Sequence, residues 1–245
     1  MGDHADRNPV TGWLLQLRWE VPADRLADFR GWYEEEHLGD MASVPGIRLA
    51  RRFERQARFA FASATTWDHL TLYEVADEAV FDSAAYRALA TSPSPRTRTT
   101  AAGLGMARTR YRQLFPTRGA HRAGGVDAAD EQPAGRSVFH IMMGSEPGVE
   151  DDFNRWYNEE HLPLITGVPG VLHGRRFVAV EGAPDPDGAG ALPYLALYEL
   201  DDPAAAESGA MKTAGAPTPW RQRLGSRVRS HVQLYEQVDR RAGPR

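Results

Sequence analysis

Two windows of the chain repeat one another: WYEEEHLGDMASVPGIRLARRF from Trp32 to Phe53, and WYNEEHLPLITGVPGVLHGRRF from Trp156 to Phe177. They lie 124 residues apart and agree at 12 of 22 positions without a gap. A repeat of this length confines the fold to one in which two copies of a supersecondary unit cover each other. The likeness continues downstream. HLTLYEVAD (His69 to Asp77) matches YLALYELDD (Tyr194 to Asp202) at an offset of 125, and RYRQLF (Arg110 to Phe115) resembles SHVQLY (Ser230 to Tyr235). The boundaries that follow are a first unit over residues 1–118, a second over 136–245, and between them a linker over 119–135, rich in Gly, Ala and Asp.

Each unit spells the same order of elements. A first strand runs from Gly12 to Trp19 or Arg136 to Met143, and a helix from about Ala23 to Leu38 or Gly148 to Leu162. Val-Pro-Gly then signals a turn. A second strand runs from Ile47 to Glu54 or Val171 to Val180, and the third is LTLYEV or LALYEL. A short helix follows, with Asp77 or Asp202 suited to its N-cap and Pro203 to its first position. The last strand runs from Met106 to Leu114 or Arg227 to Tyr235. The order βαββαβ is that of a ferredoxin-like unit, a four-stranded antiparallel sheet with helices on one face. Its bare face needs cover. The expected fold is therefore α+β, two tandem ferredoxin-like units packed sheet to sheet within one chain, so that internal pairing suffices for a monomer.

Composition removes several function classes. The 245 residues include no cysteine, which excludes disulfides, thiolate nucleophiles and Cys-ligated metal sites. A net charge of −4 gives no sign of a nucleic-acid or membrane partner. The segment from Arg96 to Arg122 has seven arginines and no acid, and Arg108, Arg110 and Arg112 read as one solvated side of a strand. The N-terminus, MGDHADRNPV, lacks the apolar core of a signal peptide, and no apolar run approaches the roughly 20 residues that span a bilayer. The expected setting is cytoplasmic and soluble. There is no G-x-x-x-x-G-K-[ST], H-E-x-x-H or G-x-S-x-G.

The first helix of each unit carries the candidate chemistry. On a wheel of 100° per residue, Val149, Phe153, Trp156, Tyr157 and Leu164 define an apolar arc, with Glu160 inside it and His161 at its edge. Leu26, Phe29, Trp32, Tyr33, Glu36 and His37 repeat the pattern. An inward carboxylate is costly unless paired. One reading pairs Glu160 with Arg175 or Arg176, and Glu36 with Arg51 or Arg52; the other makes Glu160–His161 and Glu36–His37 carboxylate–imidazole pairs poised for proton transfer. His140 and His173 on strands, and Tyr157, Tyr194 and Tyr198, are further polar groups available to a ligand beside Trp156.

The stretches WYNEEHLPL (Trp156 to Leu164), VPGV (Val168 to Val171), RRF (Arg175 to Phe177) and YLALYEL (Tyr194 to Leu200) resemble the EthD-like branch of the dimeric α+β barrel superfamily. The resemblance implies a fused pseudo-dimer with a pocket between sheet and helices of each unit. It implies an enzyme of the kind found among polyketide cyclases, lactone isomerases and cofactor-free monooxygenases of secondary metabolism. The family histidine falls on His161. It falls on His37 with a departure, HLGD in place of HLPL, which directs attention to the second half. The expected function is cofactor-independent acid–base chemistry on a small, largely apolar carbonyl or phenolic molecule. His161 would be base or acid, Glu160 its partner, Arg175 or Arg176 the enolate stabiliser, and Tyr157 or Tyr194 a substrate contact. No cofactor and no metal are expected. The alternatives are haem binding, with His140 or His161 as axial ligand, and non-catalytic binding of a small ligand.

Overall fold

The computed structural model describes residues 7–9, 12–59, 63, 67–114, 131–133, 135–182 and 192–244. Most of the linker read at 119–135 lies outside the described residues. In chain order the strands are β1 (Arg7–Pro9), β2 (Trp13–Glu20), β3 (Ile47–Arg55), β4 (His69–Val75), β5 (Gly105–Gln113), β6 (Glu131–Pro133), β7 (Ser137–Ser145), β8 (Val171–Glu181), β9 (Tyr194–Leu200) and β10 (Val228–Ala242). The α-helices are α1 (Leu26–Trp32), α2 (Leu38–Ser43), α3 (Ala84–Thr91), α4 (Pro95–Ala101), α5 (Glu150–Trp156), α6 (Leu162–Thr166), α7 (Gly209–Ala214) and α8 (Pro219–Leu224). None is long and apolar enough to cross a membrane among the described residues.

Eight strands close into one barrel in the order β10–β3–β4–β2–β5–β8–β9–β7, and every pairing is antiparallel. Strands β1 and β6 form a separate two-stranded sheet. Within the barrel the first half contributes the run β5–β2–β4–β3 and the second the equivalent run β10–β7–β9–β8. Two seams join the runs, β5 to β8 and β10 to β3. Strand β10 extends well past the Tyr235 expected as its end. Its N-terminal part pairs with β7 and its C-terminal part with β3, so one strand closes the barrel. Closure removes the free sheet edges that would otherwise invite aggregation.

Register corrects one alignment. Gln16 stands opposite Thr109, and His140 opposite Gln233, an offset of 124 in both strands. The equivalent of Tyr111 is therefore Tyr235, and the likeness of RYRQLF to SHVQLY is four residues out of register. Both tyrosines are buried in the barrel interior with Leu14, Phe53, Phe177 and Leu197. Two more clusters lie outside the barrel wall, one under the helices of each half.

Alternation along β3 and β8 splits each Arg-Arg pair between the two faces of the wall. Arg51 and Arg175 point into the barrel. Arg51 donates to both carboxylate oxygens of Glu199, at 2.9 and 2.6 Å, and Arg175 donates to both oxygens of Glu74. Both pairs are cut off from solvent, with side-chain exposures of 0–1%. Each joins a strand of one half to a strand of the other. The expected pairing of these arginines with Glu36 and Glu160 is thus corrected: those carboxylates sit on the opposite side of the wall. Burial raises the Glu199 carboxyl, but the charge and hydrogen bonds of Arg51 outweigh it and hold the group below its ordinary range.

The repeated Val-Pro-Gly follows from chain geometry. Gly46 and Gly170 have φ of 92° and 88°, which disfavours any side chain. A Cβ on Gly46 would stand 2.3 Å from Val80, and one on Gly170 2.8 Å from Ala205. Val80 and Ala205 belong to 3₁₀ turns, Glu78–Asp82 and Pro203–Glu207. Asp77 and Asp202 cap these turns as expected, each accepting from the backbone N–H two residues on.

Glu199→Gln leaves the Arg51 charge uncompensated in the barrel, and should cost about 3–5 kcal/mol in urea unfolding at neutral pH. Because the folded carboxyl is held low, its stabilisation is complete above the unfolded value of about 4.3 and is lost as pH falls through the folded value. A loss below about 1 kcal/mol would show that the pair contributes no more than an exposed one.

Candidate functional site

Between α1 and α2, and between α5 and α6, the helix widens into a π-turn, over Tyr33–His37 and Tyr157–His161. A π-turn bonds i to i+5 and so brings residue i+5 over residue i. The imidazole of His161 stacks on the indole of Trp156, with centroids 4.7 Å apart and planes 25° apart, and stands edge-on to Tyr157 at 4.8 Å. His37 repeats this on Trp32 at 4.3 Å and Tyr33 at 5.0 Å. The regular wheel put Glu160 inside the arc and His161 at its edge. The wider turn reverses them. It also turns Leu164 outward, 41% exposed, and buries Ile165 in its place.

Glu160 then serves the scaffold. It accepts from Trp156 Nε1 at 2.9 Å and from the Thr218 hydroxyl that caps α8. Glu36 does likewise with Ser94 and Thr97, and the Ser94 bond holds its carboxyl below the ordinary range. Neither carboxylate bonds its neighbouring histidine. The Glu160–His161 and Glu36–His37 proton-sharing pairs are corrected accordingly: each Glu fastens the π-turn to the helix packed beside it.

His161 opens onto a cavity of about 440 Å³ between the outer face of the barrel and the helices of the second half. Its floor is Phe139, Ile141 and Met143 on β7 with Val228, Ser230 and Val232 on β10. Its walls come from Trp156, Tyr157 and Ile165 on one side, and from Ala206, Met211, Lys212, Gly215 and Arg221 on the other. Burial, reinforced by the charges of Arg221 and Arg176, lowers the His161 pKa to about 4. The imidazole is neutral at pH 7, and among the described residues no hydrogen bond engages the ring.

The remaining candidates stand at different depths. The Tyr157 hydroxyl shares a hydrogen bond of 2.8 Å with that of Tyr198, which lies behind it. Arg176 covers the Tyr157 ring at 4.3 Å and donates to Asn158 at 2.7 Å and Asn154 at 2.9 Å. Tyr194 sits beyond Arg176, accepting from Asn154 and donating to Glu150. Arg175 and His140 are not at this site. Both point into the barrel, Arg175 to Glu74 and His140 Nε2 to Gln16 Oε1 at 2.6 Å. The β-strand alternation that puts Phe139 and Ile141 on the cavity floor turns His140 away from it. His140 is therefore unsuited to ligating anything held in this cavity. His173 is also buried on the barrel side, opposite Glu199 in the strand register.

The equivalent volume in the first half is lined by bulkier side chains. In the places of Met143, Ala206, Met211 and Val232 stand Trp19, Phe81, Tyr86 and Arg108. Trp19 donates to the Tyr33 hydroxyl at 2.8 Å, Arg108 donates to the Tyr86 hydroxyl at 2.8 Å, and Arg110 lies over Phe81 at 4.4 Å. Arg108 and Arg110 both pair with Glu181, so their reading as a plain solvated face is corrected. His37 stays neutral beneath these groups, its pKa lowered to about 4 by burial against the opposing charge of Glu36. Reading the sequence missed Met211, Lys212, Arg221 and Ser230. One available signal was the exchange of Phe81 and Tyr86 for Ala206 and Met211 at the offset of 125.

His161 should depress stability in acid. Between pH 6.5 and about 4 the unfolded chain binds a proton there that the folded protein refuses, so stability falls as pH drops through that window. His161→Phe should therefore lose less stability than the wild type between about pH 7 and about pH 5 in urea unfolding. Equal losses would mean that the imidazole ionises in its ordinary range.

No family model matches the chain, and neither does any curated protein. Solved structures do. An anthrone oxidase-like protein superposes with a TM-score of 0.61 at 11% identity, over 95% of this chain and 93% of that one. A DypB variant from Rhodococcus jostii RHA1 in complex with heme gives 0.58 at 13% identity, over 96% of each chain. The encapsulated DyP-type peroxidase of Mycobacterium smegmatis gives 0.57 at 12%, over 94% and 93%. These are dimeric α+β barrel proteins, and the likeness shows a shared architecture. It also overturns the expectation of a cofactor-free protein, because this is an architecture in which a solved relative holds haem.

Proposed function

We propose that the second-half cavity is a haem site and that the protein is an enzyme working through it. The observation that carries this reading is His161, a neutral imidazole with no hydrogen bond to its ring nitrogens among the described residues, facing a largely apolar cavity. Iron takes a histidine nitrogen only when that nitrogen is unprotonated, and a proximal His is a common haem anchor. A cavity of about 440 Å³ lies within the range of cofactor pockets, and its floor is apolar apart from Ser230. The residues present therefore fit the group. Bound there, haem would supply oxygen- or peroxide-linked redox chemistry.

The chain's own residues would do the rest. The Trp156 stack fixes the plane of the His161 ring, and Glu160, bridging Trp156 and Thr218, fixes the turn that carries both. Met143, Met211 and Ile165 exclude water. Tyr157 presents a phenol pinned by Tyr198 and covered by the Arg176 cation.

The fold reading extends in the same way. The repeated strand order supports two fused ferredoxin-like units, 1–118 and 136–245, joined by 119–135. The helix-to-strand motif supports placing them near the EthD-like branch, as a pseudo-dimer that needs no second chain. One observation favours a second chemistry in the same cavity. Neutral His161 beside the Tyr157 phenol suits proton transfer on a small apolar carbonyl or phenolic molecule, as in cyclisation, isomerisation or oxygenation.

Titration of the purified protein with haem should give a Soret band that saturates. His161→Ala should abolish the saturable band under conditions where circular dichroism shows the variant folded. A wild-type protein that gives no saturable band, or a variant that binds equally well, would overturn the assignment.

A further inference from the structure

One end of the second-half cavity is buttressed by the first half. Strand β3 pairs with β10 as far as Arg55, which stands opposite Tyr235. Beyond that point the first half meets the same edge of β10 twice more. Gln56 donates its backbone N–H to Leu234 O at 2.8 Å, and Ser63 donates to Val232 O at 2.9 Å. The Val232 N–H returns a bond to the Ser63 hydroxyl at 3.0 Å, and the Gln233 side chain donates to Ser63 O at 2.6 Å. Between these anchors, Phe59 leaves the first half and joins the apolar cluster of the second. It is 6% exposed and meets Phe139 edge-on, with centroids 5.6 Å apart and planes at 84°.

Phe139 and Val232 mark one end of the cavity floor. The register sets Val232 opposite Ile141, and Leu234 opposite Phe139. Of the floor residues, Phe139 lies nearest the start of β7 and Val232 nearest the end of β10. The strands are antiparallel, so these two limits coincide. The first half bonds the backbone of one and packs a ring against the other. Phe59 itself stands behind Phe139 rather than in the lining. In a close-packed interior a ring moves only where its neighbour yields, so Phe59 decides how far Phe139 can give way.

We propose that Phe59 is a specificity-determining residue of the second-half cavity: by backing Phe139 it closes that end and limits the length of the apolar body that fits along the floor. This rests on the reading of the cavity as the ligand site and deepens it, because a residue of one half then sets the reach of the pocket in the other. The ligand class it selects has a polar head for His161 and Tyr157 and a short apolar body for Ile141 and Phe139.

The test is calorimetric titration of the full chain with 4-alkylphenols of increasing tail length. Each methylene buried along the floor should tighten binding about fourfold, until the tail meets the Phe139–Phe59 pair and the gain stops. In Phe59→Ala the gain should continue to longer tails, while the shorter phenols bind as they do to the wild type. Phe59→Leu keeps an apolar side chain against Phe139, so it should move the break less, and it serves where Phe59→Ala does not fold. A break at the same tail length in the variants, a wild-type series with no break, or no binding of any phenol overturns the proposal. Haem titration is read separately. A break that moves with Phe59 in a protein without a saturable Soret band retires the haem reading and keeps this one, and a saturable band without phenol binding does the reverse.

Discussion

The site depends on one widened helical turn. In a regular α-helix, residue i+4 would lie over Trp156, and that residue is Glu160. The π-turn instead sets His161 there, ring on ring, and moves the carboxylate sideways to the Thr218 cap of α8. A π-turn is less favourable than the α-helix around it. It persists because its two outputs are both fastened: an imidazole stack on one side, and a hydrogen-bonded carboxylate on the other. Glu-Glu-His recurs in both halves because both halves make this turn, and its inner Glu fastens the turn to the neighbouring helix cap in each.

What differs between the halves is the volume left beside the histidine. The barrel treats them alike. Arg51 reaches Glu199 and Arg175 reaches Glu74, two equivalent ties across one interior. Outside the wall the likeness ends. Trp19, Phe81, Tyr86 and Arg108 line the space next to His37, whereas Met143, Ala206, Met211 and Val232 leave a cavity next to His161. The first half keeps the histidine, its stack and its depressed pKa, with larger side chains beside them.

Much of this was legible in the sequence. The repeat gave the element order, the Asp caps and the Val-Pro-Gly turns, because each rests on local chemistry: a capping carboxylate, or a positive φ that only glycine takes easily. His161, Trp156 and Tyr157, which line the cavity, stood out because the helix motif is compact. The failures share a physical cause, which is that phase and partner are set non-locally. A wheel of fixed period cannot see a π-turn, so Glu160 was turned inward and His161 to the edge. Strand alternation showed that adjacent arginines part company, but not that Arg51 and Arg175 would find acids on the opposite half. His140 looked available because the residues flanking it on β7 do line the cavity. Arg221 and Lys212 were missed because they arrive from helices whose packing no local pattern announces.

The central claim is that a chain with two copies of the motif holds one working cavity. Native mass spectrometry of the protein loaded with excess haem tests it most directly, by counting groups retained per chain. The account predicts one. Two would mean that the space beside His37 opens to a ligand after all, and none would mean that the cavity beside His161 is not a haem site.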